Sequence, residues 1–350
     1  MKTFSEVYKS TTFKAGAAII GSYLLYILAD FMFPLFLAVG LSFLLAPIAR
    51  QFEKLTVGKG KIHISRGVAI FLSFVVFAAF VSVVVAVIAP PLLEQMNELL
   101  KNLPEYAKQA HISDWQAMAK NGNYPTLPSS LQNIADSLIG WLMGMVGIMV
   151  RGLISSSMDI VTGIVSLVVV PFLSFYFLKD WQELCDMFVD LFRVQDREKV
   201  KQVLLHIGTT LAAYVQGLGK LCLISGLAIL AGTLLLGMKY SLVFGFIAIL
   251  AETIPIFGPV ASAAAAIFTA YNSSMSMAVN IAVFYAVYYM IDANILMPRI
   301  MGKSIDLPAV ILLVALMIGG KLFGIVGMLF AVPVAAVYRV LYKELWHYGD

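Results

Sequence analysis

The sequence predicts an all-α integral membrane protein with about six full transmembrane helices, two oppositely oriented re-entrant helical hairpins, and amphipathic helices outside the bilayer. Three observations lead there. Hydrophobic residues make up 61% of the 350 and charged ones only 13%, with a mean hydropathy of +0.90. A soluble domain carries about 25% charged and about 45–50% apolar residues. The apolar residues gather in blocks near the ~20 residues that a helix needs to cross a bilayer. Two further blocks are too long for one crossing, and each is interrupted in its middle.

Taken in order, the polar start "MKTFSEVYKSTTFK" and the apolar run after it have the outline of a signal peptide. A second apolar segment follows at once with no small-residue cleavage site between them, so the run reads as an uncleaved first helix. Residues 15–29 and 31–49 form a helical pair turning at Asp30, with Pro34 in the first turn of the second helix, where proline is tolerated. Residues 67–90 are a third span, rich in Val and Phe and closed by "APP". Residues 152–178, 221–237 and 275–297 supply three more. The two long blocks, 241–271 and 308–338, would each measure about 46 Å as helix against a hydrocarbon core of about 30 Å. "ETIPIFGP" interrupts the first and "GGKLFG" the second. Each half reaches about the midplane, so each block is expected to turn back toward the side it entered from.

The basic residues support that path. With the N-terminus inside and both hairpins returning, 18 of the 24 Lys and Arg fall on the inner side. They include Arg50, Lys54 and Arg66, the group from Lys179 to Lys220, Arg299 and Lys303, and Arg339 and Lys343. Lys101, Lys108, Lys120, Arg151 and Lys239 fall outside, and Lys321 sits at the second hairpin's tip. The bias is that of a cytoplasmic face, and it places both termini there. Two single crossings in place of the hairpins would move Arg299 and Lys303 outside.

Two segments are polar enough to lie beyond the bilayer. In 91–137, Leu92, Met96, Leu99 and Leu103 recur at helical spacing before the loop "NGNYPTLPSS". In 179–206, Trp181, Leu184, Phe188 and Leu191 share one face opposite charges. Both read as surface-lying amphipathic helices. The chain thus divides into helices 1–3 (1–90), an extracytoplasmic segment (91–150), helix 4 (151–178), cytoplasmic helices (179–220) and a C-terminal core carrying both hairpins (221–350).

Several chemistries find no support. "MGKS" at 301–304 has the end of a phosphate-binding loop, but Met297 stands where that loop needs glycine, and no strand precedes it. No nucleophile–base arrangement stands out, so an enzyme is not expected. Cys185 and Cys222 have no CxxC spacing, and no two of the four histidines stand at i, i+4. No disulfide framework, metal site, nucleic-acid partner or cofactor is expected, a proton or Na⁺ as coupling ion apart. "GKLFG" at 320–324 is a GxxxG pattern that serves either close helix packing or a helix break.

Glu252 is the sharpest feature. A charge near the bilayer centre costs at least ~2.5–3.5 kcal/mol on insertion scales and ordinarily faces an interior path or a partner. Pro255 and Pro259 beside it disfavour continuous helix. Glu252 either satisfies the backbone around the break or binds a proton, a cation or a solute hydroxyl. Asp292 and Asn294, just before Pro298, are the second polar group inside a span; Asp159 ranks behind them. Interrupted segments in opposite orientations point to a transport site where they meet. The expected tips are Pro255, Gly258 and Pro259 in the first hairpin and Gly319, Gly320, Lys321 and Gly324 in the second.

On "FLSFYFLKD" at 172–180, "ETIPIFGP" at 252–259 and the run "PRIMGKS…LPAVILLVALMIGGKLFGIVGMLFAVPVAAV" from 298 to 337, the chain resembles the AI-2E (autoinducer-2 exporter) family, also called PerM or UPF0118. It departs from the family pattern in reading "YVQGLGK" at 214–220, in lacking a histidine in "LP" at 307–308, and in carrying Tyr289 ahead of Asp292. The resemblance implies a multi-span secondary transporter of the bacterial inner membrane, assembled as a homo-oligomer, apparently a pentamer. It implies a small polar solute, most simply of autoinducer-2 type and so tied to quorum sensing, exported against an ion gradient. Na⁺(Li⁺)/H⁺ antiport is the alternative, and a non-transporting membrane scaffold a third reading. Glu252, Asp292 and Asn294 would bind the solute or ion.

Overall fold

The computed structural model describes residues 29–57, 62–109, 160–302 and 307–346. Nearly all of the first expected span, the later part of the extracytoplasmic segment, Asp159 and Lys303 lie outside the described residues. Apart from one short ribbon the regular elements are helical. They are α1 (Ala29–Glu53), β1 (Thr56–Val57), β2 (Ile62–His63), α2 (Arg66–Gln109), α3 (Ile160–Asp190), α4 (Arg197–Leu235), α5 (Ser241–Ala251), α6 (Phe257–Tyr271), α7 (Met275–Ile291), a π-helical turn (Asp292–Leu296), α8 (Met297–Met301) and α9 (Ala309–Trp346). Five stretches among the described residues are long and apolar enough to cross a membrane: Pro34–Glu53, Arg66–Asn102, Arg197–Leu235, Met275–Met301 and Val310–Glu344. The protein is a multi-pass membrane protein.

The chain divides into two units, Met1–Phe74 with Val161–Leu184, and Val75–Ile160 with Cys185–Asp350. In the first, β1 and β2 pair antiparallel, Thr56 opposite His63 and Val57 opposite Ile62. The Arg66 guanidinium donates to the Leu178 carbonyl at 2.9 Å and reaches the Glu53 carboxylate at 3.9 Å. Phe43 meets the Trp181 ring edge-on at 6.0 Å. Ser42 and Ser73 are buried, and each donates its hydroxyl to a carbonyl of its own helix, Val39 at 2.7 Å and Ile70 at 2.6 Å. A hydroxyl satisfied that way needs no partner from another helix.

The second unit holds the larger core. Leu92, Met96 and Leu99 of α2 pack with Ile229 of α4, Tyr240 and residues of α5, alanines of α6, and Ile281 and Tyr285 of α7. The span expected to close at "APP" therefore does not stop. Helix α2 runs through Pro90 and Pro91 to Gln109, because burial of its far face offsets the backbone bonds two prolines remove. Its end is tied to the turn before α5: Lys239 pairs with Glu98 at 2.5 Å, and the Asn102 amide donates to the Tyr240 hydroxyl at 2.8 Å. The fifth span likewise extends backwards, since α4 starts at Arg197. Gly217 sits in that extension, where a side chain would press on Met301. Further along, Gly226 of α4 and Gly245 of α5 let the two backbones cross closely.

Both long apolar blocks are broken. Helices α5 and α6 have only 11 and 15 residues, joined by a turn over 252–256. In a continuous helix the Ala251 carbonyl would accept from the nitrogen of residue 255, and the Pro255 carbonyl from that of 259. Both of those residues are prolines and have no N–H to give. The structure re-pairs the two carbonyls. The Ile254 N–H donates to Ala251 at 3.0 Å and the Phe257 N–H to Pro255 at 2.8 Å. The second bond closes a γ-turn that forces Ile256 to φ 70°, ψ −58°, a strained geometry for a β-branched residue. Gly258 follows because a Cβ there would run into the Ala251 carbonyl.

The second break lies at Phe323 and Gly324, the latter at φ 60°, ψ −140°. Residues 319 and 327 would stand about 12 Å apart along a straight helix. Here a Cβ added to either glycine would collide with the other's carbonyl, so the two arms of α9 fold back against each other. The arms are about 21 Å and 33 Å long. Helix α9 is thus sharply kinked rather than straight.

Gly258→Val and Gly319→Val should each lower the thermal unfolding midpoint of the detergent-solubilised protein, by an amount corresponding to about 1–3 kcal/mol of overpacking. Gly40→Ala, where nothing lies within 4 Å, should not lower it. Equal midpoints for all three would refute the close approach at the tips.

Candidate functional site

The broken hairpin α5–α6, α4, α7 and α9 surround a cavity of about 800 Å³. Its wall is mostly aliphatic, with Leu218, Leu221, Val260, Ile267, Leu312 and Val332 among the lining residues. The polar side chains in it are Glu252, Asp292 and three tyrosines, Tyr214, Tyr285 and Tyr289.

Each carboxylate sits where a helix departs from regularity. Glu252 is the C-cap of α5, the first residue past the last regular turn, and is 9% exposed. Asp292 opens the π-helical turn and is 7% exposed. That turn precedes Pro298, whose nitrogen cannot bond the Asn294 carbonyl and whose ring crowds it. The chain widens by one residue, and the Met297 N–H reaches back to the Asp292 carbonyl. π-turns of this kind recur at functional sites. The two acids are close enough for their charges to act on each other, and Ser225 of α4 stands beside Glu252.

The polar atoms here are poorly matched inside the protein. Glu252 Oε2, Asp292 Oδ1 and the hydroxyls of Tyr214, Tyr285 and Tyr289 are buried with no hydrogen-bond partner among the described residues. So are Ser225 Oγ, Ser262 Oγ and the Tyr288 hydroxyl next to them. Among the described residues, no ion pair includes Glu252 or Asp292 and no basic residue lines the cavity. The C-terminus of α5 adds its own negative partial charge at Glu252. No group of three or more metal-ligating side chains comes together among the described residues.

The residues singled out in the sequence are distributed as follows. Glu252, Asp292, Pro255 and Pro259 line the cavity. Gly258 lies behind them at the α5–α6 contact. Asn294 is exposed and donates its side-chain amide to the Met290 carbonyl at 2.7 Å, which supports the widened turn. Gly319, Gly320, Lys321 and Gly324 are outside the lining; α9 touches the cavity through Leu312 and Val332, well away from its tip. Tyr214, Tyr285 and Tyr289 join the acids as lining residues. Tyr285, Tyr289 and Asp292 stand at i, i+4 and i+7, one face of a helix, and that spacing is the signal that exposes them. Their rings pack in series, Tyr285 against Tyr289 at 5.9 Å and Tyr288 against Tyr289 at 5.2 Å.

Residues 16–346 match the model of the AI-2E family transporters. The chain belongs to the AI-2E transporter family. Among its relatives, a candidate transport protein of Bacillus subtilis, YueF, is 28% identical over 91% of this chain and 85% of its own. A second from the same organism, YrrI, is 26% identical over 88% of this chain and 84% of its own. The candidate permease PerM of Escherichia coli K12 is 25% identical over 92% of this chain and 90% of its own. The resemblance seen in the motifs therefore holds over nearly the whole length, and this AI-2E family member is a membrane protein of the transporter class.

Single cysteines at Ile256 and Val260, both exposed on the cavity wall, should react with a membrane-impermeant maleimide, and one at the buried Ala265 should not. The native thiols are removed by replacing Cys185 and Cys222 with serine. Burial, helped by Asp186, raises the Cys185 thiol above its usual range, and Cys222 is buried. Equal labelling at all three positions would mean that the cavity is not the water-accessible part of this region.

Proposed function

We propose that this protein is a secondary transporter whose solute site is the cavity at the first helix break, with Glu252 and Asp292 as the groups that carry the coupling charge. One observation supports this above the others. Two buried, neighbouring carboxylates with no basic partner among the described residues line the same cavity, each at a point where its helix departs from regular geometry. Unpaired charge at such depth is costly, so the site is most stable when a proton, a cation or a hydrogen-bonding solute occupies it. Broken helices in a bundle are a common way to build such a site.

On this reading α5–α6 and α9 are re-entrant hairpins, one entering from each face of the bacterial inner membrane, with both chain ends cytoplasmic. The family suggests export of a small polar solute of autoinducer-2 type, with a link to quorum sensing, and an assembly of several copies, of which a pentamer is the form to test. Na⁺(Li⁺)/H⁺ antiport is the second reading, favoured by the same pair of uncompensated acids. Neither needs bound cofactor or catalysis. Asn294 serves the site by holding the π-turn open behind Asp292.

In inverted vesicles with an imposed proton gradient, autoinducer-2 uptake should exceed that of empty vesicles. Glu252→Gln and Asp292→Asn should each cut the gradient-dependent part at least about tenfold, a loss of ~1.4 kcal/mol of coupling. Quenching of a pH-sensitive dye on adding Na⁺, without autoinducer-2 uptake, would select antiport instead. Gradient dependence unchanged in both variants would remove the two acids from the mechanism.

A further inference from the structure

Resting on the reading of this cavity as the solute site, we infer that it binds amphiphilic organic cations: molecules with an apolar or aromatic body and one permanent positive charge.

The cavity, about 800 Å³, falls within the range of pockets that enclose drug-sized molecules, and it is far larger than a bare metal ion needs. Most of its wall is aliphatic, so an apolar body finds contact over most of the surface. The polar atoms of the wall include Glu252, whose charge acts on Asp292 and Tyr289. Those atoms are two carboxylates, three tyrosine hydroxyls and no described base. An anion would meet two acids and the negative end of α5. A neutral apolar molecule would leave both carboxylates uncompensated in an apolar enclosure. A cation with an apolar body satisfies both halves of the wall at once. The rings of Tyr214, Tyr285 and Tyr289 add surfaces that attract cations.

The observations are independent of acid clustering alone. Tyr214 and Tyr285 are 2% and 1% exposed, line the cavity, and have hydroxyls with no partner among the described residues.

The test uses tetraphenylphosphonium and tetraphenylborate, which share a shape and differ in sign of charge. Equilibrium dialysis against the full-length protein in lipid nanodiscs, corrected with empty nanodiscs, should give saturable binding of the phosphonium and none of the borate. Glu252→Gln combined with Asp292→Asn should weaken phosphonium binding at least tenfold. Ala282→Trp, which fills the cavity and leaves both acids in place, should abolish it. Equal binding of the two probes by the unaltered protein would overturn the inference, and that comparison needs no variant to fold. Phosphonium binding that survives Ala282→Trp in protein eluting as one species would also overturn it, by placing the site elsewhere. Vesicles that still move autoinducer-2 while the nanodiscs bind no phosphonium sink this inference and leave the transport reading standing. Saturable, charge-selective binding without transport of any solute sinks the transport reading and supports this one.

Discussion

The constraint on which this structure turns is that a backbone carbonyl in an apolar interior must find a donor. Two prolines four residues apart, Pro255 and Pro259, remove the donors that the carbonyls of residues 251 and 255 would have used. The chain can meet that deficit only by leaving the helix. It does so within five residues, re-pairing Ala251 through Ile254 and Pro255 through Phe257. The reversal that results needs Gly258, since only a residue without Cβ can pass the Ala251 carbonyl. Glu252 becomes the C-cap of α5 rather than a residue within a helix, and the turn becomes cavity wall. Removing the prolines would restore a continuous helix and with it erase the site.

The other irregular segments reach similar ends by different means. Pro298 produces a π-turn instead of a reversal, because a single missing N–H can be absorbed by one extra residue and by the Asn294 amide taking the Met290 carbonyl. The break in α9 has no proline at its tip. It rests on Gly324 adopting positive φ and on Gly319 and Gly327 letting the arms touch. A proline-driven break fixes its geometry by what cannot bond, whereas a glycine-driven one relies on what can fit. The first kind carries the polar groups of the cavity, and the second supplies apolar wall through Leu312 and Val332.

Much of this was legible in the chain. The membrane class followed from composition, the two breaks from length against bilayer thickness, and Glu252 and Asp292 from their rarity in apolar runs. What stayed hidden had physical causes. Pro90 and Pro91 read as a stop, since local sequence cannot show that Leu92, Met96 and Leu99 will be buried against α4, α5 and α7. Helix α4 read as two segments because Lys220 and its flanking glycines look like a boundary, while Gly217 is in fact a contact point for Met301. An aromatic run in a membrane helix reads as packing; only the fold shows Tyr285 and Tyr289 lining the same cavity as the two acids. Asn294 looked like a ligand by its neighbour, yet its side chain is spent on its own helix.

Strain at Ile256 connects this architecture to movement. A β-branched residue held at positive φ carries about 1–3 kcal/mol that a relaxed turn would release. The populations of two conformers differ by free energies of the same size, a few kcal/mol. The strained residue is itself part of the cavity wall, next to Pro255 and four residues from Glu252. Occupancy of the cavity and geometry of the turn therefore act on one small set of atoms. On the proposed reading, a ligand that neutralises Glu252 would change how much that carboxylate must be shielded, and so which turn geometry is favoured. An aspartate or glutamate placed in mid-helix would lack this leverage, because a regular helix has no second backbone arrangement of comparable energy. On the proposed reading, an acid at a strained break would let the binding of a single charge bias the geometry of the turn beside it.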